Sequence, residues 1–192
     1  MAECKAGSAI MAYFYFDFKD LEKQTCHHLL RSLVSQLSTR SSDCCGILRS
    51  VYERHDKGAR QPSDDTLKEC LKQMLRLSEQ RQIFIILDAL NECSGFSYHH
   101  SDVLQLVKDL VDLRLAGLYI CVTSRPEVNI RAVLEPLAFH SVSLHDETGQ
   151  KVDIVEYVRS AVYLSPSMAM RSWSADDKNL VIETLTERAD GM

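Results

Sequence analysis

Short apolar runs alternate along the chain with longer segments of helical period, a pattern that is typical of parallel α/β construction. Four runs predict strands, and they are Met11–Phe16, Ile83–Leu87, Leu118–Val122 and His140–Leu144. In the first three runs both the odd and the even positions are apolar or aromatic, which predicts a parallel sheet with helices on both faces. The run His140–Leu144 alternates polar and apolar positions, so we expect it at or near an edge of the sheet.

Apolar residues at helical spacing predict helices between and after these runs. The predicted helices, with their capping residues, are Leu21–Leu37 after Asp20, about Cys44–His55, Leu67–Leu77 after Ser63, Val103–Val111 after Ser101, Val152–Leu164, and Ala175–Ala189 after Ser174. Gly117 is expected to permit a left-handed turn into the strand at Leu118. We predict a core over residues 1–164 and the start of a helical extension over residues 165–192.

Composition and charge limit the kinds of binding partner and the cellular compartment that we expect for this chain. The chain has 192 residues, is 45% hydrophobic and carries a net charge of −5 with scattered Lys and Arg. These values predict one substantial core and no nucleic-acid surface. No apolar run approaches the roughly 18–20 residues of a membrane span, so we expect no membrane partner. The seven cysteines form no CxxC pair, which favours reduced thiols in a cytoplasmic protein.

The strongest chemical signal is the segment FIILDALNEC, residues 84–93. Asp88 follows a buried strand, and ligands of open α/β sheets bind outside the carboxyl ends of the strands. A carboxylate there can hold Mg²⁺, usually through water, against nucleotide phosphates. Glu92 is spaced to orient or deprotonate an attacking water. The alternative is an ordinary buried strand that ends in a helix-capping Asp.

The second signal is the segment CVTSRP, residues 121–126. Another apolar strand ends here in two hydroxyls and an arginine, so Thr123, Ser124 and Arg125 are candidate nucleotide contacts beside Asp88. Pro126 biases Arg125 away from helix, and a guanidinium at this edge can reach a γ-phosphate. The alternative is a strand-to-helix turn with a surface Arg.

Together these segments resemble the NACHT module of STAND NTPases and look like the nephrocystin-3-like N-terminal domain of fungal members. The matching stretches are AYFYFDFKD, LLRSLVSQLS, FIILDALNEC, ICVTSRPE, LHDETGQKVDIVEYV and LTERADGM. The resemblance implies a three-layer P-loop NTPase-like fold with C-terminal helices. It also implies Asp88 as the Walker B magnesium residue, followed by the small Ala89 typical of the group, with Glu92 and Arg125 as catalytic candidates. Asn91 stands where the family often has a second aspartate.

One part of that family pattern is absent from the sequence. No GxxxxGK[ST] segment occurs, and the nearest, Cys4–Ser8, lacks the glycine spacing and the Lys-Ser/Thr order of that motif. The resemblance therefore implies a chain that starts after the Walker A loop and lacks its strand. Losing about four charged hydrogen bonds would remove on the order of 6 kcal/mol, so we expect no tight binding of ATP or GTP. We predict a three-stranded sheet centred on Ile83–Leu87, with His140–Leu144 either displaced against Leu118–Val122 or poorly ordered.

The resemblance implies a nucleotide-operated signalling switch that, in the full parent, uses Mg²⁺ with ATP or GTP. It further implies an effector domain upstream, repeats such as ankyrin downstream, self-association through NACHT domains, and in fungi a link to non-self recognition or regulated cell death. The alternative is a non-catalytic interaction module from a truncated or degenerate gene. A Rossmann oxidoreductase would need GxGxxG, which is absent. A hydrolase built on Cys93 or Cys121 lacks an activating sequence context.

Overall fold

A parallel sheet of three strands organises the first part of the molecule. The computed structural model describes residues 9–77, 81–93, 99–143, 148–164 and 172–188. Within them, β1 (Ala9–Tyr15), β2 (Gln82–Asp88) and β3 (Leu118–Val122) lie side by side in chain order. This confirms the predicted α/β class and the sheet centred on Ile83–Leu87.

Helices occupy most of the remaining described residues. The α-helices are α1 (Cys26–Ser38), α2 (Ser42–Arg54), α3 (Asp64–Leu77), α4 (His99–Val111), α5 (Val128–Leu134), α6 (Thr148–Tyr163) and α7 (Ala175–Arg188). Single 3-10 turns lie at Leu21–Lys23, Asp56–Gly58, Leu90–Glu92 and Glu135–Leu137. Among these described helices, none combines the length and the apolar character that crossing a bilayer requires.

The core lies between one face of the sheet and the helices. Alternate strand residues point into it, and those that are buried are Ile10, Ala12, Phe14, Ile83, Ile85 and Leu87. The apolar stripe of α1 meets them and packs against α3, with Leu29, Leu30 and Leu33 fully buried. Burying such a side chain contributes about 1.5–3 kcal/mol, so this stripe is a principal stabilising element.

The second face of the sheet is covered much less. Tyr13, Tyr15 and Tyr119 lie on it and are 43%, 54% and 48% exposed. The apolar runs predicted strands covered on both faces, and in the described residues only one face is deeply buried. The strand order explains the difference, because parallel strands that follow chain order with right-handed crossovers collect their connecting helices on one face.

The first helix begins later than predicted. Asp20 caps only the short 3-10 turn, through a bond from the N–H of Glu22 at 3.0 Å. The N-cap of α1 is Thr25, whose hydroxyl accepts the N–H of His28 at 3.3 Å. Gln24 is buried between them and donates its side-chain amide to the carbonyl of Phe18 at 2.7 Å. The prediction of one continuous helix over Leu21–Leu37 is therefore wrong for its first turn, because the α-helix begins only at Cys26.

The region around β3 departs from the prediction in three places. The left-handed residue before β3 is Arg114, with φ 53°, whereas Gly117 was expected to fill that role. Helix α5 was not predicted from the sequence. Residues 140–143 form no strand, and Leu144 lies outside the described residues.

The outer edge of β1 is closed by a side chain. The N–H of Tyr13 donates to Oε1 of Gln36 at 3.1 Å, and Nε2 of Gln36 donates to the carbonyl of Tyr13 at 2.7 Å. Both backbone groups that face away from β2 at this position are thus paired. Such pairing protects an edge strand from adding a foreign strand.

The described residues up to Ala138 form one compact unit, and those from Phe139 onward form a second. In the second unit α6 packs against α7, and Val162 and Ile182 are buried. Ser174 caps α7 as predicted, since its hydroxyl accepts the N–H of Asp177 at 3.1 Å. The domain boundary predicted after residue 164 falls within this second unit and stays a prediction.

Candidate functional site

Asp88 is the last residue of the middle strand. Its register partner on β1 is Tyr15, and its carbonyl accepts the N–H of Phe16 at 3.0 Å. The preceding Leu87 pairs with Val122 of β3. The carboxyl ends of the three strands therefore meet at one edge of the sheet, which we call the rim, with Asp88 at its centre.

Thr123 connects Asp88 to the end of β3. Its hydroxyl donates to Oδ1 of Asp88 and accepts the N–H of Ala89 at 3.0 Å. Its backbone N–H donates to the carbonyl of Leu87 at 2.9 Å, and its carbonyl accepts the N–H of Leu90 at 3.0 Å. One residue thus fixes both the carboxylate of Asp88 and the turn that follows it.

Ala89 has a left-handed backbone, with φ 55° and ψ 46°. This conformation turns the chain sharply from β2 into the 3-10 turn Leu90–Glu92, where Leu90 is fully buried. A left-handed residue that is not glycine costs roughly 1–2 kcal/mol, and a branched side chain costs more. The structure therefore gives a physical reason for a small residue after Asp88.

Arg125 lies at the rim in the loop between β3 and α5. Its backbone N–H donates to Oδ1 of Asn91 at 3.0 Å, and its side chain is exposed. Ser124 donates its hydroxyl to the carbonyl of Arg125 at 2.8 Å, so this donor is used within the loop. In the described part of the chain no ion pair joins Arg125 to Asp88 or Glu92. Asp88 and Arg125 are thus on the same edge and outside any helix, as predicted; their roles in binding stay predictions.

Glu92 lies on the β1 side of Asp88. Its Oε2 accepts the N–H of Phe18, at a long 3.4 Å, in the loop that follows β1. The buried amide of Gln24 holds the same loop through the carbonyl of Phe18. Glu92 as a residue is half-buried.

The thiol of Cys93, which follows the turn Leu90–Glu92, is not activated as a nucleophile. Cys93 is buried, and its Sγ donates to the carbonyl of Gln24 at 3.1 Å. Burial raises the pKa of the Cys93 thiol to about 11, so it stays protonated near neutral pH. This environment does not activate a nucleophile.

The oxygen donors at the rim suit a hard cation that keeps most of its own water. Asp88 offers a carboxylate oxygen beside the hydroxyl of Thr123, and Glu92 lies in the next turn. Across the residues that the structure describes, no cluster of three or more His, Cys, Asp or Glu side chains could enclose a metal. Mg²⁺ needs no such cluster, because it is commonly held by one or two carboxylates together with water and phosphate oxygens.

The position of the rim follows from the sequence, but the contacts that build it do not. Nothing in the pattern indicated that Asn91 binds the backbone of Arg125, or that Gln24 is buried and binds the backbone of Phe18. The hydroxyl of Thr123 bonds to Asp88 and Ala89, and its predicted contact with a ligand stays a prediction.

The family model of the nephrocystin 3 N-terminal region matches residues 1–125, about two thirds of the chain, and this span includes the whole rim from Phe18 to Arg125. No curated protein and no solved structure matches the chain. The chain therefore belongs to the nephrocystin 3 N-terminal family.

Proposed function

We propose that this chain carries the metal-binding and arginine-bearing half of a nucleotide site, as part of an ATP- or GTP-operated switch domain. One observation supports the proposal above all others. Asp88 and Arg125 share one rim, and Thr123 and Asn91 bind the two segments to each other. A carboxylate and a guanidinium at the carboxyl edge of a parallel sheet are the groups that a Mg²⁺-bound triphosphate requires.

Each residue has a specific role in this proposal. Asp88 would hold a Mg²⁺ through the waters of the ion, and Thr123 keeps its carboxylate in place. The guanidinium of Arg125 contacts the terminal phosphate, where its charge opposes the negative charge of the phosphoryl group. Glu92 orients water on the β1 side. The metal itself would screen the phosphate charges.

Binding by this chain alone is expected to be weak. No GxxxxGK[ST] segment occurs in its 192 residues, so backbone N–H groups of a phosphate loop are not available to the phosphates. Isothermal titration should therefore detect no micromolar affinity for Mg·ATP or Mg·GTP. Micromolar binding would show that other groups of the chain hold the phosphates.

Paramagnetic Mn²⁺ in place of Mg²⁺ tests the site at weak affinity. With Mn·ATP added to the ¹⁵N-labelled chain, we expect selective broadening of the amide signals of residues 88–92 and 123–125. Asp88→Asn should remove this broadening. The matched control Asp65→Asn, at an exposed position on α3, should leave it unchanged. Equal broadening in the wild type and in Asp88→Asn contradicts the proposal.

The wider role that we propose is signalling, with nucleotide exchange shifting the parent protein between closed and open states in the cytoplasm. Six described cysteines without disulfides suit such a reducing compartment. The link to fungal non-self recognition or regulated cell death, and flanking effector and ankyrin-type repeat domains, come from the family resemblance.

The half-exposed sheet face favours a second candidate, a non-catalytic module that associates with a second copy of itself. Tyr13, Tyr15 and Tyr119 present aromatic surface there, and tyrosine is enriched at protein interfaces. Sedimentation velocity should then show a concentration-dependent dimer that Tyr119→Lys abolishes. A monomer at all concentrations contradicts this candidate and leaves the nucleotide proposal unaffected.

A further inference from the structure

Asn91 joins two chain segments that are 34 residues apart in sequence. It occupies the middle of the 3-10 turn Leu90–Glu92, and its Oδ1 accepts the backbone N–H of Arg125 at 3.0 Å. The side chain of Asn91 is half-buried, whereas Arg125 is exposed.

The backbone of Arg125 has few other attachments to the sheet. Its carbonyl accepts from the hydroxyl of Ser124 and from the N–H of Glu127, both at 2.8 Å and both within the same loop. Pro126 has no N–H to donate. Within the described residues, the bond to Asn91 is therefore the hydrogen bond that connects the backbone of Arg125 to the segment following β2.

Asn91 is itself held in a fixed position. The turn that carries it is anchored by Leu90, which is fully buried and donates its N–H to the carbonyl of Thr123 at 3.0 Å. The N–H of Glu92 donates to the carbonyl of Ala89 at 2.8 Å, which closes the turn. Asn91 can thus transmit the position of the Asp88 segment to Arg125.

We propose that Asn91 is a positioning residue that sets where the side chain of Arg125 leaves the rim, and that its neutral amide limits the negative charge there. The proposal rests on the proposed function, in which Arg125 meets a phosphate. Asp88 and Glu92 already place two carboxylates on this segment. An aspartate at position 91 would accept the same hydrogen bond but would add a third negative charge, which repels a polyphosphate.

Amide hydrogen exchange, followed by NMR, tests the positioning role without any nucleotide. In Asn91→Ala the amide of Arg125 should exchange roughly fivefold faster, as expected for the loss of one typical hydrogen bond. Asn91→Asp keeps an acceptor and should restore slow exchange at Arg125. Asn129→Ala, an exposed position on α5, is the matched control and should change nothing at Arg125. Unchanged exchange in Asn91→Ala, or fast exchange in Asn91→Asp, overturns the proposal.

Weak binding of Mn·ATP, read from amide broadening, tests the consequence for the site. Asn91→Ala should weaken binding severalfold, and it should have no further effect when Arg125→Ala is already present, because the two act through one contact. Asn91→Asp should weaken binding in spite of its restored hydrogen bond. Wild-type affinity in Asn91→Asp contradicts the charge argument. Absence of broadening in the wild type contradicts the proposed function, and the exchange experiment still decides whether Asn91 positions Arg125.

Discussion

The hydroxyl of Thr123 donates to the carboxylate of Asp88 and accepts the N–H of Ala89 at 3.0 Å. One oxygen atom therefore bonds both to the last residue of β2 and to the residue that follows it. The hydroxyl proton is donated to Asp88, so the oxygen of Thr123 acts as an acceptor, through a lone pair, for the N–H of Ala89. Thr123 is thus a structural partner of Asp88 before any ligand binds.

Replacing this hydroxyl by a methyl group should destabilise the fold. Thr123→Val removes the bonds to the N–H of Ala89 and to Asp88, and since both are exposed the expected cost is about 0.5–1.5 kcal/mol of unfolding free energy. Thr123→Ser retains the hydroxyl and is expected to keep most of the stability. Urea unfolding of both variants measures the difference. Equal stability of Thr123→Val and the wild type would show that water replaces the lost bonds.

The left-handed backbone of Ala89 leads to a second prediction, on the stability of variants at this position. Ala89→Gly relieves a strain of roughly 1–2 kcal/mol, partly offset by the larger backbone entropy of glycine in the unfolded chain, so stability should stay equal or rise slightly. Ala89→Val should destabilise clearly, since a β-branched residue rarely adopts positive φ. Thermal unfolding of the two variants should rank them glycine, alanine, valine. A valine variant as stable as the wild type contradicts the assigned conformation.

Buried thiols should make the protein sensitive to alkaline pH. Burial raises the pKa of Cys26 to about 12 and that of Cys70 to about 11, from an ordinary value of 9.0. The unfolded thiols lose their protons first, so their contribution to stability is complete below pH 9 and is lost as the pH rises through 11 to 12. The unfolding free energy should fall over this range, with a smaller slope in Cys26→Ala. An unchanged slope in that variant counts against a thiol origin.

Alkylation gives an independent check on the same burial. Cys45 and Cys121 are exposed, whereas Cys26, Cys70 and Cys93 are buried. Mass spectrometry after brief treatment with iodoacetamide should find the label on Cys45 and Cys121 and should find it on the buried thiols only after unfolding. Early labelling of Cys26 would contradict the described core.

A polar contact between α3 and α4 should contribute a small, acid-sensitive stabilisation. The amide of Gln105, which donates to Asp109 at 2.7 Å, and the ammonium of Lys72 at 3.4 Å hold the pKa of Asp109 below its ordinary 3.8. The folded carboxylate is favoured, so the stabilisation is present above about pH 3.8 and is lost as the pH falls through the lowered pKa. Asp109→Asn should cost less than about 1 kcal/mol at neutral pH. Asp112→Asn, at an exposed position, is the control and should cost nothing measurable; a loss that persists unchanged in acid would exclude this mechanism.

The strands and the location of the rim could be predicted because they depend on simple patterns. Ile83–Leu87 and Leu118–Val122 are apolar runs bounded by polar residues, and parallel strands bring their carboxyl ends to one edge. Once both runs are read as parallel strands, Asp88 and Arg125 must lie near each other.

The departures arise where tertiary contacts override local preference. Gln24 is polar but buried, which interrupts the helix expected after Asp20. Ala89 and Arg114 adopt positive φ without being glycine, so composition gives no signal for either turn. Helix α5 follows Pro126 and begins with Val128, which is 85% exposed, so it has no continuous apolar stripe to recognise. The bond from Arg125 to Asn91 spans segments that no short motif connects.

Gln36 has a consequence for how this protein meets other chains. Its carboxamide directs an N–H and its oxygen, at the spacing of a peptide group, to the backbone of Tyr13, and it also donates to Ser32. An incoming strand would have to break an internal contact before it gained one of its own. Fibrils form when strands of further copies add to an exposed sheet edge. Such addition is therefore disfavoured at Tyr13 on the β1 edge by a single residue of α1.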